Sequence, residues 1–352
     1  MADALAQARL RAETIRFKGD VPLRGGPIVE ATAETREKHY QNAIEISPEL
    51  TPALWTRLRA VCERLNLPMP LIAAFIYSSP QVQAECLMTS SEYCTVRFSS
   101  ALLDLLSEEE FEFVIGHEIA HFLLSHHAVL SGKLNAEIFV QQRSQEISAD
   151  RLGLIACRSL ETALRALMKT VSGLTEKHLR FDVAAFISQL RKIDNSSIDW
   201  SGSTHPSIVI RAKALLWLSL TEFLDKSPPS LSAEQRSTLD ARVERDLQRF
   251  VDGAIKKQIE DAKRDVFLWM MTYEVLQTGA FSRHLQDKMR NIFGGETVDK
   301  LVVFIGGLSR SELDAVIYEK LVAARVFLEG LMPQQFNQEI ENIRSRVATE
   351  IG

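Results

Sequence analysis

Residues 117–121 read His-Glu-Ile-Ala-His, and the residues before them put this box on a helix. Ser107 with Glu110 three residues later is a capping box, which predicts a helix from about Glu108. Phe111, Val114, Ile115, Ile119 and Phe122 continue at mostly helical spacing. Four residues make slightly more than one turn, so His117 and His121 project from one face and can meet a single Zn2+. Glu118 lies beside them, where a carboxylate can take a proton from a metal-activated water. The plain alternative is a surface helix with two incidental histidines. Against it, an apolar helix with a charged cluster on one stripe wants a partner for that cluster. The fold must therefore bring a third ligand to this stripe.

Two stretches offer one. His127 falls where the longer box HExxHxxGxxH places its last histidine, but that box uses a glycine to break the helix, and here the position is Leu124. A continuing helix would carry His127 about 15 Å along the axis from His117, so His126 and His127 read as the polar end of the helix. The better candidate is Glu146, in Glu146-Ile147-Ser148-Ala149-Asp150. Ile138, Phe139, Ile147, Leu152, Ile155 and Ala156 mark a second helix over roughly 136–158, after a turn at 131–135. Glu146 and Asp150 share a face as i and i+4. Glu146 would bind metal, and Asp150 would accept the free N–H of a ligand histidine. The alternative pairs Asp150 with Arg143 or Arg151 on a solvated face.

HEIAH, then EISAD, then Thr204-His205-Pro206 with Arg211 six residues after the histidine, resembles the HtpX and CAAX prenyl endopeptidase family of gluzincin metallopeptidases, family M48. That family shows HExxH, a downstream ExxxD and a later HP…R. Residues 99–106 resemble its lead-in helix, and the likeness covers roughly residues 50–220. It implies His117, His121 and Glu146 as ligands of one Zn2+ per chain, Glu118 as catalytic base and Asp150 behind the ligands. It further implies that His205 stabilises the oxyanion and that Arg211, behind the ligands with Asp150, holds the local loop or helps His205. Read by residue type alone, Ser203-Thr204-His205-Pro206 is a loop entering a helix with Pro206 in its first turn, and His205 could be a simple loop residue. The chain departs from the family at 82–86, Val-Gln-Ala-Glu-Cys, where members carry an Asn-Ala-Phe stretch.

A chain of 352 residues is long enough for two domains, and a net charge of −5 leaves no broad electrostatic footprint for nucleic acid. No stretch approaches 18 apolar residues; Leu301–Ile305 is cut off by Gly306-Gly307. Spans are common in the family it resembles, yet none is expected here. Met1–Asp20 carries Arg9, Arg11, Arg16 and Lys18 with no apolar core, unlike a signal peptide, and a cytoplasmic location is the expectation. Cysteines at 62, 86, 94 and 157 make no zinc or disulfide framework.

Along the chain, 1–45 reads as a loose arm broken at Gly25-Gly26-Pro27. Thr51-Pro52 opens a helix to about Asn66, Leu71–Tyr77 reads as a buried strand, and residues 85–88 and 93–98 as a hairpin. Helical patterns follow at 160–171, 176–193 and 206–224. Pro228-Pro229 marks a linker, beyond which capping boxes at Ser232/Gln235 and Ser309/Glu312 and a stripe at Phe267, Met270, Met271, Val275 and Leu276 describe a helical bundle. The expected fold is α+β and predominantly helical: a metallopeptidase domain over 46–225 with a small sheet, then an all-helical module over 231–352 for regulation or partner binding. The expected function is zinc-dependent hydrolysis of a protein or peptide held along an edge strand near 83–88. Two other classes are an interaction protein keeping a structural zinc, disfavoured by Glu118, and an HExxH protease acting on nucleic-acid-bound proteins, disfavoured by the acidic balance.

Overall fold

The computed structural model describes residues 2–21, 39–88, 92–126, 136–189, 206–226, 229–278 and 281–351. Contacts divide the chain into two compact units, Met1–Lys133 with Phe139–Val251, and Asp252–Gly352 with Leu134–Ile138.

The first unit holds a four-stranded sheet in the order β1-β2-β4-β3, built from β1 (Ile44–Glu45), β2 (Ile72–Tyr77), β3 (Ala84–Met88) and β4 (Cys94–Ser99). β2 and β4 run parallel with Ile72 opposite Cys94, while β3 returns antiparallel on β4 with Ala84 opposite Phe98. That order leaves β3 as an edge, as the hairpin pattern at 85–98 predicts. Val96 and Phe98 of β4 are buried, and Phe98 meets Phe111 edge-on at 4.8 Å between ring centroids. Through such contacts the helix Glu108–Leu123 packs on β3 and β4.

The helices that begin this unit share its core with the sheet. They are α1 (Ala2–Ile15), α2 (Pro52–Arg64), α3 (Ser100–Leu105), α4 (Glu108–Leu123), α5 (Ala136–Cys157) and α6 (Leu160–Ser172). The capping box of α4 forms as read: Ser107 N–H donates to Glu110 at 2.8 Å and Glu110 N–H to the Ser107 hydroxyl at 3.2 Å. Glu110 also accepts from the buried Lys169 ammonium at 2.8 Å, which ties α4 to α6. Of the helix expected over 176–193, the described residues form α7, Val183–Ser188, while 190–193 lie outside the described residues. α8 spans Ile208–Ser219, so Pro206 precedes its N-cap Ser207 and lies outside the first turn.

The N-terminal residues differ most from the expected loose arm. Helix α1 buries Leu5, Ala8, Ala12 and Ile15, and Phe17 after it is fully buried; the breaker at 25–27 lies outside the described residues. α9 (Ala233–Leu247) likewise joins the first unit, burying Leu239, Val243 and Leu247 in its core. The reason is electrostatic as well as apolar. Arg151 of α5, 1% exposed, donates to Asp240 of α9 at 2.7 Å and to the Ile15 carbonyl at 3.1 Å. The division into compact units falls at 251/252, which leaves α9 in the first.

In the second unit α10 (Gly253–Thr278) is the central helix, contacted by α13 (Arg310–Leu331) and α14 (Phe336–Ile351). Between them in sequence lie α11 (Arg283–Phe293) and α12 (Gly295–Gly306). Phe267, Met270, Met271 and Val275 are buried there, as the stripe predicts. Capping boxes at Ser232/Gln235 and Ser309/Glu312 both form. No helix among the described residues is long and apolar enough to cross a membrane. None of the four cysteines is in a disulfide, and Cys86 and Cys94 are not register partners on β3 and β4.

Candidate metal centre

Helix α4 places His117 and His121 one turn apart on one face, with their Nε2 atoms 3.2 Å from each other. Helix α5 crosses that face and brings Glu146 to them: Oε2 lies 3.5 Å from His117 Nε2, and Oε1 lies 3.6 Å from His121 Nε2. Three ligands about 2.0–2.1 Å from a tetrahedral ion stand about 3.3 Å apart, so these three separations are those of a metal cage. Among the described residues this is the group of His, Cys, Asp and Glu side chains that could hold an ion.

The crossing depends on two glycines. A Cβ on Gly116 would lie 2.3 Å from Ala156 Cβ, and one on Gly153 would lie 2.9 Å from the Phe113 carbonyl oxygen. Without side chains there, α4 and α5 approach closely enough for Glu146 to reach both histidines. The motif reading passed over these positions, though small residues at 116, 149, 153 and 156 were a usable signal.

Asp150, one turn after Glu146, lies 3.0 Å from His117 Nδ1 through Oδ1. Accepting that N–H leaves His117 Nε2 with its lone pair toward the cage. Asp150 does not pair with Arg143 or Arg151. Its partner is Arg211 of α8, which donates to both carboxylate oxygens, Nε to Oδ2 at 2.7 Å and Nη2 to Oδ1 at 2.6 Å. Arg211 Nη1 also lies 3.0 Å from Glu146 Oε2. Arg211 thus sits in the cage wall itself, beyond the loop-holding part the motif suggested. Glu118, Glu146 and Asp150 against one guanidinium leave two negative charges when ionised, which suits a divalent cation.

Burial sets the proton affinities. It pushes the Glu118 carboxyl up to about 7, with nearby Glu146 adding to the shift and His117 opposing it. Burial works against a charged His117, yet Glu146 and Asp150 hold its pKa above the ordinary value. Burial also works against the Asp150 anion, but Arg211 and His117 keep it below the usual carboxylate range.

His117, Glu118, Glu146 and Arg211 line a cleft of about 380 Å³ whose rim includes Val82, Gln83 and Ala84 at the start of edge strand β3. Leu167, Thr170 and Val171 of α6 and Pro206 and Ile208 close it. His205 and His127 lie outside the described residues.

His126 overturns the reading of it as the polar end of a helix. α4 ends in a turn where Ser125 takes a left-handed backbone, φ 56°, with Ser125 N–H donating to the Phe122 carbonyl at 3.2 Å and His126 N–H to the His121 carbonyl at 2.9 Å. This is the helix reversal that glycine usually provides, made here by a serine one residue after Leu124. The ring of His126 is brought back to that of His121, with the two Nδ1 atoms 2.9 Å apart.

The family model described as Peptidase family M48 matches residues 48–141, which span strands β2, β3 and β4, helix α4 and the start of α5. Over this segment the chain is similar to that family. It is 25% identical over 183 residues to the plastoglobule-localized metallopeptidase 48 of Arabidopsis thaliana, covering 44% of this chain and 53% of that protein. A protease HtpX homolog of Thermodesulfovibrio yellowstonii is 33% identical over 96 residues, 27% of this chain and 33% of its own. Another, from Desulforapulum autotrophicum, is 37% identical over 84 residues, 24% of this chain and 26% of its own. The chain thus spans about half of the first relative and a third or less of the other two. No solved structure matches.

Proposed function

We propose that this chain is a zinc-dependent endopeptidase. The observation that carries the proposal is that His117, His121 and Glu146 each bring a ligand atom within 4.8 Å of the others, on a cleft that His117 and Glu146 line together with Glu118. His117, His121 and Glu146 would hold one zinc ion, a donor set of two imidazoles and one carboxylate that suits it. When bound, zinc supplies polarisation of the scissile carbonyl and acidification of a water in the cleft.

The protein's own groups do the rest. Glu118, with its proton affinity raised toward neutrality by burial, accepts the proton from the attacking water and passes it to the leaving amine. Asp150 and Arg211 keep His117 in the tautomer that leaves Nε2 free. Residues 82–84 offer main-chain groups at the edge of the sheet, where an extended peptide can align as an added strand beside Glu118. Gln83 is the exception, because its N–H and carbonyl already bond Ser99 at 3.1 and 3.0 Å. His205, six residues before Arg211, is assigned to the oxyanion on the strength of the HP…R spacing.

Two substitutions test the reading together. Glu118→Gln is expected to abolish cleavage of an unfolded protein substrate while retaining about one zinc per chain by metal analysis. Glu146→Ala is expected to lose the metal. Hydrolysis by a zinc-loaded Glu118→Gln protein would remove Glu118 from its role, and full zinc occupancy in Glu146→Ala would remove the third ligand.

A further inference from the structure

We propose that His126 and Asp20 form a positioning relay for His121, making the segment after α1 part of the metal centre; the proposal rests on the zinc reading above. The geometry has a direction. His121 Nδ1 lies 2.9 Å from His126 Nδ1, and His126 Nε2 lies 2.9 Å from Asp20 Oδ2. If His121 presents the lone pair of Nε2 to a metal, its proton is on Nδ1 and is donated to His126 Nδ1. His126 Nδ1 is then the acceptor, so its own proton is on Nε2 and points at the Asp20 carboxylate. A single tautomer assignment satisfies every atom in the line from cage to carboxylate.

The relay is built into the protein interior. The side chains of His126 and Asp20 are 2% and 1% exposed. Gln141 Nε2 donates to the other oxygen of Asp20 at 3.0 Å, and Arg16 Nε stands 3.2 Å from Oδ2. Arg16 also donates to the carbonyl of Leu124, so the segment carrying Asp20 is fastened to the end of the helix that carries both histidines. The left-handed Ser125 that turns His126 inward is a conformation that non-glycine residues seldom adopt. Each ligand histidine therefore ends on a carboxylate: His117 directly on Asp150, His121 through His126 on Asp20. Two carboxylates from distant parts of the chain orient the two imidazoles.

Imidazole ¹⁵N shifts of the zinc-loaded full chain read the tautomers without any substitution. The expected pattern is His126 protonated on Nε2 and His121 on Nδ1; His126 protonated on Nδ1 would overturn the relay. Zinc competition against a chromogenic chelator provides the second reading, with melting curves to establish folding. His126→Phe should weaken zinc affinity by about 10–100-fold, as loss of a partner behind a metal ligand typically does. Asp20→Asn should weaken it less, and should shift the visible bands of the cobalt-substituted protein. Folded His126→Phe and Asp20→Asn proteins with unchanged affinity would also overturn the relay. The zinc reading fails separately, and is recognised by a parent chain that binds no zinc or by an undiminished Glu146→Ala.

Discussion

Arg211 faces two buried carboxylates at once, and its behaviour separates the roles of metal and protein at this centre. It forms a bidentate pair with Asp150 and reaches Glu146 at 3.0 Å. A guanidinium suits this place better than an ammonium because its planar fork meets both oxygens of one carboxylate. Removing it would leave two buried anions without their counter-charge, at about 3–5 kcal/mol. Arg211→Met should therefore melt well below the parent when metal-free. A divalent ion would restore part of the missing positive charge, so the rise in melting temperature on adding zinc should exceed that of the parent. An equal or smaller rise would mean that Arg211 is not electrostatically coupled to the metal position.

At the scale of elements, the cage exists because α4 and α5 cross closely. Glu146 is seven residues, about two turns, before Gly153 on α5, so any displacement at the crossing is transmitted to the ligand. Gly153→Ala would put a methyl group 2.9 Å from the Phe113 carbonyl oxygen and ring carbons. Overpacking of this kind typically costs about 1–3 kcal/mol. The expected outcome is a lower denaturation midpoint together with weaker zinc binding, measured on the same preparation. Parent-like values in both would show that the helices have slack and that the glycine is incidental. The active-site helix was legible in advance because its signals are local: a capping box, an apolar spacing and the box itself lie within sixteen residues. The crossing was not, because a helix sequence carries the pattern of its buried face but not the identity of the helix that will cover it.

For the first unit as a whole, the buried pair of Arg151 with Asp240 ties α9 to α5. Asp240 accepts from Arg151 at 2.7 Å and from the Lys18 backbone N–H at 3.0 Å, and Arg236 donates to the Arg16 carbonyl at 2.8 Å. Helix α9 thus holds the N-terminal segment against α5. Asp240→Ala should lose about 3–5 kcal/mol, because Arg151 stays buried without its partner. A chain ended near Lys226 lacks α9 altogether and should not give a cooperative unfolding transition. A cooperative transition with zinc binding in that shortened chain would restore the boundary at Pro228-Pro229.

The sequence by itself determined the parts whose physics is local. It carried the capped helix with His117, Glu118 and His121 on it, the i, i+4 spacing of Glu146 and Asp150, the edge hairpin, and the apolar stripe of α10. The residues that proved harder are those whose partners are remote in sequence. Asp20 is one of three acidic residues among the first twenty, with nothing local to single it out, and only folding brings it to His126, 106 positions along the chain. His126 reads as a helix-terminal polar residue until a left-handed serine turns it inward, a conformation that serine type does not announce. Pro228-Pro229 reads as a break in the sequence, yet the buried pair of Arg151 and Asp240, from either side of it, keeps α9 in the first unit. Tertiary structure decided these matters because burial makes an unpaired charge costly, and which charges find each other depends on how the elements pack.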